Sequence, residues 1–236
     1  MGLKVLVTGG YHSGKSSVVK FLSGGRSIHI DKHETTVALD YGRVDIEGLR
    51  VHLFGTPGMK HFRVLREILS KGADGVLFVI DSADSRRDEE AKAVRREVDE
   101  FLPDTTRVYL ANKQDVEGAR PPEVIKQVFD IPDDVPVIGT STVTGLNLSL
   151  ALRTLLAKLI EKVAPLLNVL SKYDGKAGGI SQFADTMKFN LASTRKVFNW
   201  LELRGYVEVD WRAGVFWLAP PIKSILERSD EILKSS

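Results

Sequence analysis

Cysteine is absent from all 236 residues. Disulfides, thiolate metal sites, catalytic thiols, palmitoylation and C-terminal prenylation are thereby excluded. An excess of one charge is missing too: 33 Lys and Arg face 31 Asp and Glu, and a formal net charge of +2 makes no general claim on nucleic acid. No uninterrupted apolar stretch reaches the roughly 20 residues that a membrane-spanning helix needs. No signal peptide is visible; a strand-like run follows Gly2 at once and Leu6 stands where a myristoylation signal carries Ser or Thr, which argues against a lipid anchor at that end. These absences predict a cytoplasmic protein without a membrane anchor. His29, His33 and His52 share no spacing that suits a metal. What is present is a hydrophobic fraction of 43%, ample for packed cores. The length allows one domain of ordinary size plus a second, smaller one.

The most informative stretch is Gly9-Gly10-Tyr11-His12-Ser13-Gly14-Lys15-Ser16, placed directly after the apolar run Leu3 to Thr8. A G-x-x-x-x-G-K-S loop between a strand and a helix is a phosphate cradle. Its glycines let successive N–H groups turn toward phosphate oxygens, and the N-terminus of the following helix adds its positive dipole end. Gly9, Tyr11, His12, Ser13, Gly14, Lys15, Ser16 and Ser17 are the expected phosphate contacts. Lys15 reaches the β- and γ-phosphates, and Ser16 is the expected Mg²⁺ ligand.

The base is selected far downstream. Thr106 to Ala111 reads as a buried strand running into Asn112-Lys113-Gln114-Asp115, an N-K-x-D box. The Asp115 carboxylate can accept two hydrogen bonds, from guanine N1–H and from the exocyclic amine, a pair of donors that adenine does not offer. Asn112 is expected to tie this segment to the phosphate loop, and the Lys113 stem to cover one face of the base.

With these two boxes in hand, the chain resembles the Ras-like small GTPases over about residues 1 to 164. The resemblance implies a doubly wound, mostly parallel sheet with one antiparallel strand. It also implies GTP, GDP and Mg²⁺ as ligands, and a switch that hydrolyses GTP. In Thr35-Thr36-Val37-Ala38-Leu39-Asp40-Tyr41 it identifies the first γ-phosphate sensor, with Thr36 the better-aligned Mg²⁺ ligand and Thr35 the fallback. Gly55-Thr56-Pro57-Gly58 is the counterpart of D-x-x-G, with the Gly58 N–H offered to the γ-phosphate. Thr140-Ser141-Thr142 resembles the last guanine-contacting loop, so Ser141 and Thr142 join the nucleotide set. Catalysis is expected from Lys15, Thr36 and Gly58, and metal binding from Ser16 and Thr36.

Three residues depart from the Ras pattern. Gly55 replaces the Asp that holds Mg²⁺ through water, leaving Ser16, Thr36, phosphates and solvent. Met59 replaces the Gln that orients the attacking water, which predicts slow hydrolysis. Tyr11 stands where a small glycine leaves room for a partner's arginine. The G-T-P-G segment with Met59-Lys60-His61-Phe62 is more similar to the prokaryotic branch that includes the bacterial polarity GTPase MglA, which implies a small roadblock-type regulator as a partner. For moving the water, His61, His12, Arg63 and a partner's arginine all stay open.

Strand and helix patterns alternate as a doubly wound sheet requires. Val44 to Phe54 is a hairpin with a Glu47-Gly48 turn; Gly75 to Asp81 and Val135 to Ile138 are parallel-type strands. Ser85 to Leu102 is a charged helix with a capping signal at Ser85 and an Asp88–Lys92 pair. A helix from Leu148 to about Leu170 carries Pro165 as a kink or break. Beyond it, two helices (Ile180 to Asn190, Ala192 to Leu203) and two strands (Tyr206 to Trp211, Val215 to Leu218) form a helix-turn-helix with a hairpin wing. This resembles a winged-helix domain over 165–236, with a last helix from Ile222 to Lys234. Ser193, Thr194, Arg195, Lys196, Asn199, Lys188 and Arg212 are positioned for DNA. Yet from residue 165 onward ten Lys or Arg face eight Asp or Glu, a weak basic footprint. Protein contact through the winged helix, and a nucleotide-sensing DNA-binding regulator that barely hydrolyses GTP, both remain open. So does an interaction module fixed in one nucleotide state.

Overall fold

The computed structural model describes residues 2–30, 39–58 and 60–226. Two compact units divide the chain. One comprises Lys4–Val44 and Val51–Leu159, the other Met1–Leu3, Asp45–Arg50 and Ile160–Ser236. Thr35, Thr36, Met59 and the end of the expected last helix lie outside the described residues.

The first apolar run forms strand β1 (Leu3–Gly9), and the Lys-Ser pair of the glycine loop opens helix α1 (Lys15–Leu22). Then follow β2 (Ile28–Ile30), β3 (Leu39–Ile46), β4 (Leu49–Gly55), α2 (Arg63–Ser70), β5 (Gly75–Asp81), α3 (Asp88–Phe101) and β6 (Thr106–Asn112). Helix α4 (Pro122–Val128) and strand β7 (Val137–Gly139) lead into α5 (Leu148–Ser171). The described strands form a seven-stranded sheet in the order β2-β3-β4-β1-β5-β6-β7. β1, β5, β6 and β7 pair in parallel, Val5 facing Gly75 and Ile80 facing Ala111. Every residue of β5 is buried, as a strand covered on both faces must be, which explains its unbroken apolar run. On one face Leu6, Phe78, Ile80 and Tyr109 pack with Ala91, Val94 and Val98 of α3, which recur at the helical period. β1 lies between β4 and β5, the place where the strand order reverses. A doubly wound sheet opens its ligand crevice at the C-terminal end of that strand.

β3 and β4 are neighbours joined by Glu47-Gly48, both at positive φ (53° and 86°), a turn whose twist suits a two-residue hairpin. The Asp45 carboxylate accepts the Gly48 N–H at 3.1 Å and steadies it.

Several expectations need correction. β2 escaped the sequence reading because three residues are too few to show alternation. The capping signal lies at Asp84, whose Oδ1 accepts the Arg86 N–H at 3.1 Å above a 3₁₀ turn (Ser85–Arg87), and α3 starts only at Asp88. Asp88 pairs with Arg120 through two bonds of 2.6 and 2.9 Å rather than with Lys92, which pairs with Glu89 at 3.2 Å. A guanidinium fork from another loop outcompetes an exposed i,i+4 lysine. α5 runs unbroken through Pro165.

In the second unit, α6 (Gly179–Met187) stops at Lys188, which adopts left-handed backbone, short of the expected Asn190. Asn190 instead caps α7 (Leu191–Arg204), its Oδ1 accepting the Ser193 N–H at 2.9 Å. α7 ends as a left-handed glycine requires: the Gly205 N–H reaches the Glu202 carbonyl and the Tyr206 N–H the Leu201 carbonyl, each at 3.0 Å. β8 (Val207–Asp210) and β9 (Val215–Leu218) form an antiparallel pair. Phe183, Phe198 and Phe216 are fully buried between these elements, with Phe198 touching both of the others at ring distances of 5.4 and 4.9 Å. Residues 220–226 are helical.

Candidate functional site

The phosphate loop is built from backbone that side chains resist. Gly9, His12 and Gly14 sit at φ of 142°, 58° and 100°. A β-carbon on Gly14 would collide with the Asn112 side-chain nitrogen, so glycine is obligatory there. The Gly10 carbonyl accepts the Lys15 ammonium at 2.5 Å and the Ser13 hydroxyl at 2.9 Å. Burial pushes the Lys15 ammonium down to about 8 from 10.5. The Arg66 guanidinium lowers it further, and the carboxylates of Glu90 and Asp40 oppose the shift.

The base-side loops are bonded to the phosphate loop and to each other. Asn112, fully buried, donates to the Ser13 carbonyl at 2.9 Å and accepts the Thr140 hydroxyl at 3.2 Å. Asp115 accepts the Ser141 hydroxyl at 2.5 Å, while the same Ser141 oxygen accepts the N–H groups of Val143 and Thr144, each at 3.1 Å. One carboxylate oxygen is thereby held in place. Lys113, at φ 71°, pairs with Asp81 at 2.5 Å, which aligns its stem.

Both ends open into one cavity of about 530 Å³. Of the expected residues, Tyr11, His12, Gly14, Lys15, Ser16, Ser17, Gly58, Lys113, Asp115 and Thr142 line it. Gly9, Ser13, Asn112 and Ser141 do not; they stand behind the lining and shape it. Gly58 approaches so closely that a β-carbon on it would lie 2.8 Å from the Lys15 Nζ and from the Tyr11 backbone. Of the open candidates for moving water, His12 lines the cavity. His61 does not, and its ring packs at a tilt against that of Phe62, 4.1 Å between centroids. Arg63 pairs with Glu100 at 2.7 Å and lies over Phe101. Six lining residues fall outside the expected site set, Asp40, Thr56, Pro57, Phe62, Val116 and Val143, and so does Asp81 behind Lys113. Asp40 gave no readable signal, because the expected hairpin began at Val44 whereas β3 begins at Leu39.

A mostly parallel sheet whose first strand ends in this loop is the fold of a P-loop GTPase. Residues 4–113 match the family described as 50S ribosome-binding GTPase. The chain is 28% identical over 165 residues to an ADP-ribosylation factor-like protein of Schizosaccharomyces pombe, covering 67% of this chain and 87% of that protein. It is 27% identical over 169 residues to ADP-ribosylation factor-like protein 2 of Drosophila melanogaster, covering 68% and 89%. It is 31% identical over 132 residues to human ADP-ribosylation factor-related protein 1, covering 53% and 66%. The chain is similar to small GTPases of the Ras superfamily, and that similarity supports a GTP-binding molecular switch that hydrolyses GTP.

Proposed function

We propose that GTP lies along this cavity with its triphosphate at Lys15 and its base at Asp115, and that Thr36 and Gly58 sense the γ-phosphate. The observation that carries the reading is that Lys15, Gly58 and Asp115, distant in sequence, line one space. Ser16, the hydroxyl of Thr36 and phosphate oxygens are hard donors of the type Mg²⁺ prefers. Ser16 and Thr36 would hold such an ion, which would supply positive charge against the phosphoryl group undergoing transfer. Lys15 adds a second positive charge at the γ-phosphate, and loss of that phosphate releases the Thr36 and Gly58 segments. Calorimetry comparing GTP with ATP tests the base assignment. A preference on the order of 10⁴ should collapse in Asp115→Ala, whereas equal affinities in the parent protein would refute the reading.

Hydrolysis by the isolated protein is slow, because the thioether at Met59 cannot orient water. In single-turnover assays Met59→Gln is expected to speed it; fast hydrolysis by the unmodified protein would contradict this. The G-T-P-G segment and the absent carboxylate at position 55 favour kinship with the MglA-like branch and, by that resemblance, a roadblock-type regulator in the cytoplasm.

Residues 1–164 are assigned to the GTPase domain and 165–236 to a winged-helix domain. The succession α6, α7, β8, β9 supports the latter. Its use as a protein-contact module is favoured over DNA binding, since two of its cations, Arg195 and Arg204, lie over the rings of Trp211 and Trp200.

A further inference from the structure

Gly55 leaves the second γ-phosphate segment without its usual carboxylate, yet the cavity does not lack one at the phosphate end. Among its described lining residues the carboxylates are Asp115, on the base side, and Asp40, which shares the lining with Lys15, Ser16 and Gly58. Asp40 arrives there through the hairpin. The turn is two residues long, so Ile46 stands opposite Leu49, and counting back along both strands brings Asp40 opposite Gly55. The contact between the Tyr41 and Phe54 rings at 5.2 Å, one pair further along, agrees with this register. Cross-strand partners project their β-carbons from the same face. A β-carbon built on Gly55 would lie 2.9 Å from that of Asp40 and 3.2 Å from its Oδ2. The Asp40 side chain therefore fills the space that a residue-55 carboxylate would enter, and the two positions cannot both carry one without displacement.

We propose that Asp40 is the carboxylate that holds the water shell of the nucleotide-bound Mg²⁺, supplied from β3 in place of the residue missing from the end of β4. The inference rests on the nucleotide-site reading above. Mg²⁺ dehydrates reluctantly and keeps several waters, so a carboxylate that accepts hydrogen bonds from them fixes the ion without touching it. Such outer partners contribute about tenfold to a hundredfold in metal affinity. Glycine at 55 is then the complement of aspartate at 40, a paired exchange across one hairpin rather than a loss.

The test follows release of a fluorescent GDP analogue while MgCl₂ is titrated against EDTA. Asp40→Asn, which keeps the shape and removes the charge, is expected to raise the Mg²⁺ concentration for half-maximal retention by about tenfold or more. Release in EDTA alone should match the parent protein. The exchange variant, Asp40→Gly with Gly55→Asp, should return the midpoint to near the parent value, because it moves the carboxylate across the same cross-strand pair. An unchanged midpoint in Asp40→Asn would overturn the proposal. If that variant fails to fold, the exchange variant decides alone: a midpoint as high as that expected for Asp40→Asn refutes the assignment. A parent protein that retains no GDP at any Mg²⁺ concentration would sink the nucleotide site itself, a different result from normal GDP binding with Mg²⁺ dependence indifferent to position 40.

Discussion

Lys15 carries the sharpest residue-scale consequence. Its folded value of about 8 lies below the ordinary 10.5, chiefly through burial. Keeping the charged form buried costs stability below about pH 8. That cost fades as pH rises from 8 toward 10.5, where the unfolded chain still binds the proton that the folded one has released. Phosphate oxygens restore the charged form. GTP binding at pH 8 should therefore take up about half a proton, falling toward none at pH 6. Calorimetry in two buffers of different ionisation enthalpy measures this directly, and no uptake at pH 8 would contradict the lowered value. At this scale the sequence was most legible where backbone chemistry is obligatory. The glycines of the phosphate loop and the Asn112 tether could be read because no other residue types do those jobs. The Ser141 hydroxyl on Asp115 could be foreseen only as a nearby loop, since its bond spans 26 positions that spacing alone does not bring together.

Elements are held by contacts that no periodicity announces. Arg66 of α2 is almost wholly buried. It donates through Nε and Nη2 to Glu97 of α3 at 2.8 and 2.7 Å, and through Nη1 to the Pro57 carbonyl, next to Gly58, at 3.0 Å. Removing one partner of a buried pair leaves the other charge uncompensated, so Arg66→Met is expected to destabilise the protein by about 3 kcal/mol in urea unfolding. A loss below about 1 kcal/mol would show that water replaces the guanidinium freely. Asn190→Ala removes the α7 cap and should cost about 1 kcal/mol, visible as a lower urea midpoint at unchanged slope. Helix α3 illustrates what sequence pattern can and cannot give. Its apolar stripe was plain, but its start moved from Ser85 to Asp88, and Asp88 turned to Arg120 rather than Lys92. Local spacing proposes i,i+4 partners, whereas the fold offers a guanidinium fork with two donors.

For the molecule as a whole, charge decides between uses of the second unit. Non-specific DNA affinity comes from neutralised phosphates, and a segment with ten cations against eight anions releases few counterions. Fluorescence anisotropy at about 0.15 M salt should accordingly find duplex DNA bound no tighter than about 10⁻⁶ M, with no difference between GDP and GTP states. Nucleotide-dependent binding that weakens in Arg195→Ala would instead establish the DNA-reading alternative.

By itself the sequence determined the ligand class, the phosphate and base boxes, and the alternation that builds a doubly wound sheet. These depend on residue types whose backbone or donor pattern has no substitute, and on periods that local geometry imposes. Tertiary structure alone decided which carboxylate stands at the phosphate end of the cavity. Gly55 reads as a deficit along the chain. It becomes half of an exchange only when a two-residue turn brings Asp40 across from it, because a strand's side chains find their neighbours across the ladder and not along the sequence.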